Sequence, residues 1–536
     1  MKNKIYIKHW LSLKPQNYSG KTDLYYLKIA NKISDNFNDT LTLTLSEYMS
    51  KDERAMFCCF LACYFEDIIS ETNIWFAFKS MHQSLYNKPL PFYDIEEDYI
   101  NDEVNFEDVA FLSWYFLNTI QSRKFISPFN DFILDIATLT MQVLDEAYEY
   151  APENKTLKEI FQFNGNPEEF YEIRAFMQTV FFESYLFNTD IKYQLDIETL
   201  KIIEDTKDEA PNVILSYIRE VTEELTFNKS SALMAMKASD WSKAIMGTSH
   251  KNYGDISSIS EKISGLFLYK KQNTTSVFLE HIASGMSFEM TKKSFDDFED
   301  LKTDEVIFIG LVRYKNEWWF SGNSSIQDFD ANLILDQKNS ADARAKVNFL
   351  NDPKQMESVL NKQKNAFLEF NDNALIAYMK SNKVEEFSKN FITYYNQSLN
   401  LSAKKKKEAL QRAKDDGFFG KEDVFQKFKH NEEKAIVFFN PKNGIEIYFD
   451  IINAFPDKNN PFFTKESEAD IMRLLISPSY STELVQFFIN TFKDKLKFFK
   501  KEPNKSYLED MDFLLRFWKK NSYVTKSNII LTGKTH

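Results

Sequence analysis

Between Gly265 and Gly322 the apolar and polar positions alternate in short runs, as in strands with one buried face. Met286, Phe288 and Met290 alternate with Ser287, Glu289 and Thr291. Val306–Tyr314 is apolar on both sides, as expected for a strand in the middle of a curled sheet. Lys315-Asn316 then separates it from Glu317–Phe320 as a tight hairpin loop. With Leu266–Tyr269 and Val277–Ile282 this makes five short strands, and the pattern predicts a small SH3-like or OB-like β-barrel over 258–327.

The blocks on either side are periodic in the helical sense. Ser50-Lys-Asp-Glu53 is a capping box, and Phe57, Leu61, Tyr64, Phe65 and Ile68 follow at helical spacing. Further helices are predicted over 22–34, 106–121, 128–149, 165–186 and 211–226, so residues 1–226 form an all-α domain. Lys4–Trp10 is expected as a short strand or arm, and 227–257 as a connector. Residues 340–536 are expected as an α+β domain. It has helices over 353–366, 384–399 and 402–415, then a hairpin of Ala435–Phe439 and Ile445–Ile452 about Asn443-Gly444. Helices over 465–476, 480–499 and 506–520 close the chain, the last with a capping box at Ser506 and Glu509. The fold class is thus α+β and multidomain.

Composition narrows the chemistry. Only 12 of 536 residues are Gly, which disfavours phosphate-cradling loops. The net charge of −13 is uneven. Residues 1–250 hold 23 Lys/Arg against 39 Asp/Glu, and residues 351–536 hold 31 against 25. Cys58, Cys59 and Cys63 share one helical segment without a second ligand pair, which fits buried thiols of a reducing cytosol better than zinc. The first residues show no leader pattern, and no apolar run is long enough to span a bilayer. A cytoplasmic protein without a membrane segment is expected.

No Walker loop, dinucleotide fingerprint, zincin helix or nucleophile elbow is present, and no cofactor is expected. Asp67, Glu71 and His82 would share a face if one helix ran through all three, and could then hold a metal ion. The eight acids between Asp94 and Asp108 suit a solvated loop and helix start. Asp328–Asn332 lacks the glycine and twelfth-position acid of a calcium loop. On the barrel, Trp319 shares a face with Glu317 and Ser321 and could be an exposed platform. Lys270, Lys271, Lys292 and Lys293 could form a basic patch beside it, although 258–327 holds ten acids against eight bases. His281 is expected as a hydrogen-bonded core residue.

Lys4–Leu11, Thr22–Tyr26, Cys58–Asp67, Leu90–Tyr93 and Tyr507–Trp518 together resemble an uncharacterised bacterial family carried as a domain of unknown function. The resemblance implies a bacterial cytoplasmic protein and brings no activity, cofactor or functional residue. The leading expectation is a non-enzymatic binding or scaffold protein that contacts a protein partner through the barrel. The alternatives are a metal-dependent hydrolase using Asp67, Glu71 and His82, and a nucleic-acid binder using the barrel and the basic C-terminal block.

Overall fold

The computed structural model describes residues 4–525 apart from 17, 122–123, 167, 295–300, 341–342, 344–346, 348–352, 400, 406 and 408–432. The helix expected over 402–415 lies largely outside the described residues.

Helices α1 (Ile7–Leu11), α2 (Asp23–Asn36), α3 (Asp39–Tyr48), α4 (Lys51–Ser70) and α5 (Ile74–Tyr86) open the chain. Then come α6 (Phe106–Ile120), α7 (Asp131–Tyr148), α8 (Lys155–Ile160), α9 (Phe170–Glu183), α10 (Tyr193–Asp205) and α11 (Pro211–Asn228). The capping box at Ser50 starts α4, with the Ser50 amide donating to Glu53 at 2.6 Å. α4 is buried nearly all round. Its Phe60 meets Phe116 and Tyr185, and its Phe65 meets Tyr26.

Lys4–Trp10 is not a strand or arm but leads into α1. The Asn31 side chain holds Ile5 by its amide and carbonyl, and the helical turn sends Trp10 inward to donate to Asp23 at 2.9 Å. Residues 227–257 are more than a connector. They carry α12 (Ala238–Met246) and α13 (Tyr253–Ser257), and Trp241 is fully buried against Phe187, donating to Ser231 at 2.8 Å.

Five strands close the barrel: β1 (Ile263–Gln272), β2 (Ser276–His281), β3 (Ser287–Thr291), β4 (Val306–Tyr314) and β5 (Glu317–Gln327). Their order is β1-β2-β3-β5-β4, with β4 returning antiparallel to β1 and β3 parallel to β5. This Greek-key closure is the OB-like arrangement, not a meander in which each strand pairs with the next. Phe267, Leu279, Phe288, Ile307 and Ile309 fill its core. His281 is buried there over Phe267, with Ser284 at 2.9 Å from its Nδ1.

After the barrel come α14 (Ala331–Asn339), α15 (Pro353–Phe370) and α16 (Ser381–Ser398). A three-stranded antiparallel sheet forms in the order β6 (Ile376–Lys380), β7 (Lys434–Asn440) and β8 (Gly444–Tyr448). One face, with Val437 and Phe439, packs on Phe367 and Phe391 of α15 and α16. The other face, with Ile376, Ile436 and Phe438, joins the main helical core. Burial on both faces explains the unbroken apolar run of β7.

The chain ends in α17 (Glu468–Ile476), α18 (Thr482–Phe492), α19 (Asn504–Tyr507) and α20 (Met511–Trp518). The capping box expected at Ser506 does not form, because Ser506 donates to Glu502 at 2.6 Å instead. α20 returns to the first half of the chain. Phe513 packs against Phe78, Phe92, Phe111 and Trp114, and Phe517 against Trp114. One apolar cluster therefore runs from Ile5 to Phe517, joining the N-terminal helices to α17–α20. Among the described residues no helix is long and apolar enough to cross a membrane.

Candidate binding cleft

The barrel's outward residues are used inside the molecule. Trp319 does lie on the face opposite the barrel core, but that face is covered: its residue is 2% exposed and its ring packs on Phe170 and Tyr171 of α9. The exposed platform expected there is not formed, because a helix distant in sequence occupies it. The same side is clamped by α11. Ser321 donates to Glu223 at 2.6 Å, and Lys262 meets Glu220 at 2.6 Å. Gly322, at φ +90°, lets the strand pass so close that a Cβ would lie 2.2 Å from the Glu220 carboxylate. The Lys315-Asn316 loop is docked as well, with Lys315 between Glu168 and Asp255.

The strand register puts both lysine pairs at the barrel end that carries the β1–β2 turn. Lys270 is held by Asp304 at 2.7 Å and Glu280 at 3.4 Å, and Lys293 by Glu317 at 3.1 Å. Lys271 lies over the Phe278 ring, and the Lys292 amide donates to Thr275.

The expected metal site is not assembled. The helix through Asp67 ends at Ser70, and the chain turns through Glu71 and Asn73, both at positive φ, before α5 begins. Asp67 serves this corner, accepting from Thr72 at 2.5 Å, the Trp75 amide at 2.7 Å and Tyr185 at 3.0 Å. Burial raises its carboxyl while those donors hold it down. Glu71 points outward to Lys158 at 2.6 Å. His82 is buried against Phe513, donating from Nδ1 to the Lys88 carbonyl at 2.6 Å, and burial lowers it to about 4. Among the described residues no group of three or more His, Cys, Asp or Glu could hold a metal ion. Cys58 and Cys63 are buried thiols pushed up to about 12 by that burial.

An open cleft lies on the other side of α4. It has a volume of ≈ 680 Å³, and Leu11, Pro15, Met56, Ile120 and Tyr193 supply its apolar lining. Its polar members include Lys14, Tyr18, Glu53, Asn188, Lys192 and Asp196. Lys14 is anchored from behind: its ammonium pairs with buried Glu66 and lies 4.0 Å from the Trp10 ring centroid. Glu66 also accepts from Thr22 at 3.2 Å and from Asn154 at 2.7 Å, and Asn154 donates to Tyr18. Burial works against the charge on Lys14, but Cys63 and Glu66 more than offset it and hold the ammonium above its ordinary value. The wall opposite is a π-helical turn, Asn188–Lys192. Its wide turn sends Asp190 inward to Ala232 and Lys520 and leaves Asn188, Lys192 and Tyr193 on the cleft. Sequence reasoning missed this site, because its walls are separated by well over a hundred residues and no local pattern marks them.

A shallow cleft backed by a fully paired polar network, beside a barrel docked on helices, defines the class: an α+β protein with a preformed ligand-sized recess. The chain belongs to the family described as protein of unknown function (DUF3843), whose model matches residues 4–310. That span covers the N-terminal helices, the cleft, barrel strands β1 to β3 and the first half of β4. Of the five stretches that carried the resemblance, only Tyr507–Trp518 lies beyond it. No curated protein and no solved structure matches the chain.

Proposed function

We infer that the protein is a binding protein whose receptor site is the cleft between α1, α4, α6 and α10. The observation that carries this is a recess of ≈ 680 Å³ with a largely apolar lining and a rigidly held Lys14. That volume is within the range of about 300–1,000 Å³ typical of ligand sites. A contact of this size suits side chains of a protein partner entering from outside. The three buried thiols fit a reducing compartment, which supports a cytoplasmic setting. The barrel is the internal brace of this scaffold, and its lysines sit largely on carboxylates, leaving little net charge for a phosphate backbone.

The test is affinity purification of the tagged protein from its own cells after nuclease treatment, with the Met56→Trp variant beside it. Met56 lines the cleft and is half-buried, so a larger ring there fills the recess. A stoichiometric protein partner should be lost from the variant while its thermal midpoint is kept. A partner retained equally by both, or recovery of no protein partner at all, would sink this reading.

A further inference from the structure

A soluble helix normally turns its apolar stripe inward. α10 does the opposite. Tyr193, Ile197, Leu200 and Ile203 recur at helical spacing and are 59%, 48%, 62% and 45% exposed. None of the thirteen residues of α10 is buried. α11, packed beside it, also carries exposed Leu215 and Tyr217, which point to opposite sides of that helix. An exposed apolar stripe of this kind on one helix marks an interaction site rather than scattered surface residues.

The stripe is continuous with the cleft, since Tyr193 and Asp196 line the cleft mouth. Its surroundings are acidic. Residues 193–210 hold six acids (Asp196, Glu198, Glu204, Asp205, Asp208 and Glu209) against Lys201 and Lys207. The lysine at the start of the stripe, Lys192, is already spent on Asp196 at 2.5 Å. Across the cleft stands Glu53.

We propose that the cleft's protein partner presents a cationic amphipathic helix, seated along α10 with one apolar side chain anchored in the cleft. This deepens the binding reading above and rests on it. Residues at i, i+4 and i+7 on α10 are spaced to meet a second helix ridge to groove. The thirteen residues of α10 span about 20 Å, which sets the length of the contact. The acids flanking the stripe select Lys and Arg over Asp and Glu on the partner's polar face, and would repel an anionic lipid surface.

The probe is a fluorescein-labelled fifteen-residue Leu/Lys peptide with helical periodicity, titrated with the full chain. A scrambled peptide of the same composition and a Leu/Glu counterpart serve as controls. The patterned Leu/Lys peptide should bind at least tenfold tighter than either control, and more weakly as salt rises. An Ile197→Ser, Leu200→Ser double variant and Met56→Trp should each weaken it at least tenfold with the thermal midpoint unchanged. Equal affinity for the scrambled peptide, or indifference to the double substitution, would overturn the proposal. A concentration-dependent dimer abolished by the double substitution would make the stripe a self-interface, and binding to phosphatidylglycerol vesicles lost in the same variant would make it a membrane contact. Either result overturns it too. If the peptide fails but Met56→Trp still loses a captured partner, the cleft remains a receptor and only the partner's chemistry is wrong. If Met56→Trp changes nothing in either experiment, both readings fail.

Discussion

The barrel and the α10–α11 hairpin use outward-facing apolar residues in opposite ways. Trp319 leaves the barrel surface and is covered by Phe170 and Tyr171, so it holds two parts of the chain together. Leu200 leaves the helix surface and meets solvent. Both residues occupy positions that their own element does not bury. What separates them is whether a distant segment arrives. Outward direction therefore says where a side chain points, and only the assembled fold says whether that direction is inside or outside.

The largest effect should come from breaking the covered side of this comparison. Trp319→Ala is expected to cost about 3–5 kcal/mol, the range for truncating a buried large aromatic. Chemical denaturation of the full chain checks it, and a cost under about 1 kcal/mol would mean that the barrel is not held by this contact. Glu220→Ala should follow closely. It strands Lys262, whose side chain is fully buried, at a cost of about 3 kcal/mol. The companion Glu220→Ala, Lys262→Met double variant should recover much of that loss, because no unpaired charge remains.

A third test uses pH at the contact between His82 and the returning helix α20. The ordinary imidazole value is 6.5, and burial depresses it to about 4 in the folded chain. Between those values the unfolded chain binds the proton and the folded chain does not. Stability is therefore complete above about pH 6.5 and is lost as pH falls toward 4. Over the full window the loss is of order 3 kcal/mol. Thermal melts at pH 7.5 and 4.5 should show it, and His82→Gln should flatten the part due to this ring. Asp510 and Lys88 face the same contact and remain in both proteins.

Smaller still, Ser50→Ala should cost about 1 kcal/mol through loss of the α4 cap. On the bare side of the comparison, Leu200→Ser should change stability by less than about 0.5 kcal/mol, since its side chain is exposed. A loss above about 2 kcal/mol would show that the α10 stripe is structural after all.

Much of the local structure was legible. The alternation over Ser287–Met290, the two-sided apolar run at Val306–Tyr314 and the Lys315-Asn316 turn appear as read, while Thr291, expected on the wet face, is buried. The Ser50 cap and the Asn443-Gly444 hairpin do as well. These are signals of short range, carried by neighbours in sequence. The metal triad failed for a reason of equally short range. Glu71 and Asn73 adopt positive φ, so one helix became two and the spacing of Asp67, Glu71 and His82 lost its meaning. β6 was missed because Ile376–Lys380 is five residues long and acquires its partner only at Lys434–Phe438.

The sequence by itself determined the helical first block, the five strands of the barrel and the hairpin of the second sheet. Capping, turn chemistry and apolar period are properties of adjacent residues. Only the tertiary structure decided that the barrel closes in Greek-key order, that Trp319 is covered and that α20 completes a core begun at Ile5. It also decided that Leu11, Met56, Ile120 and Tyr193 face one another across a cleft. Those outcomes depend on which apolar faces find each other over hundreds of residues. The hydrophobic effect drives burial without direction, so the pairing is settled by the shape of the whole chain.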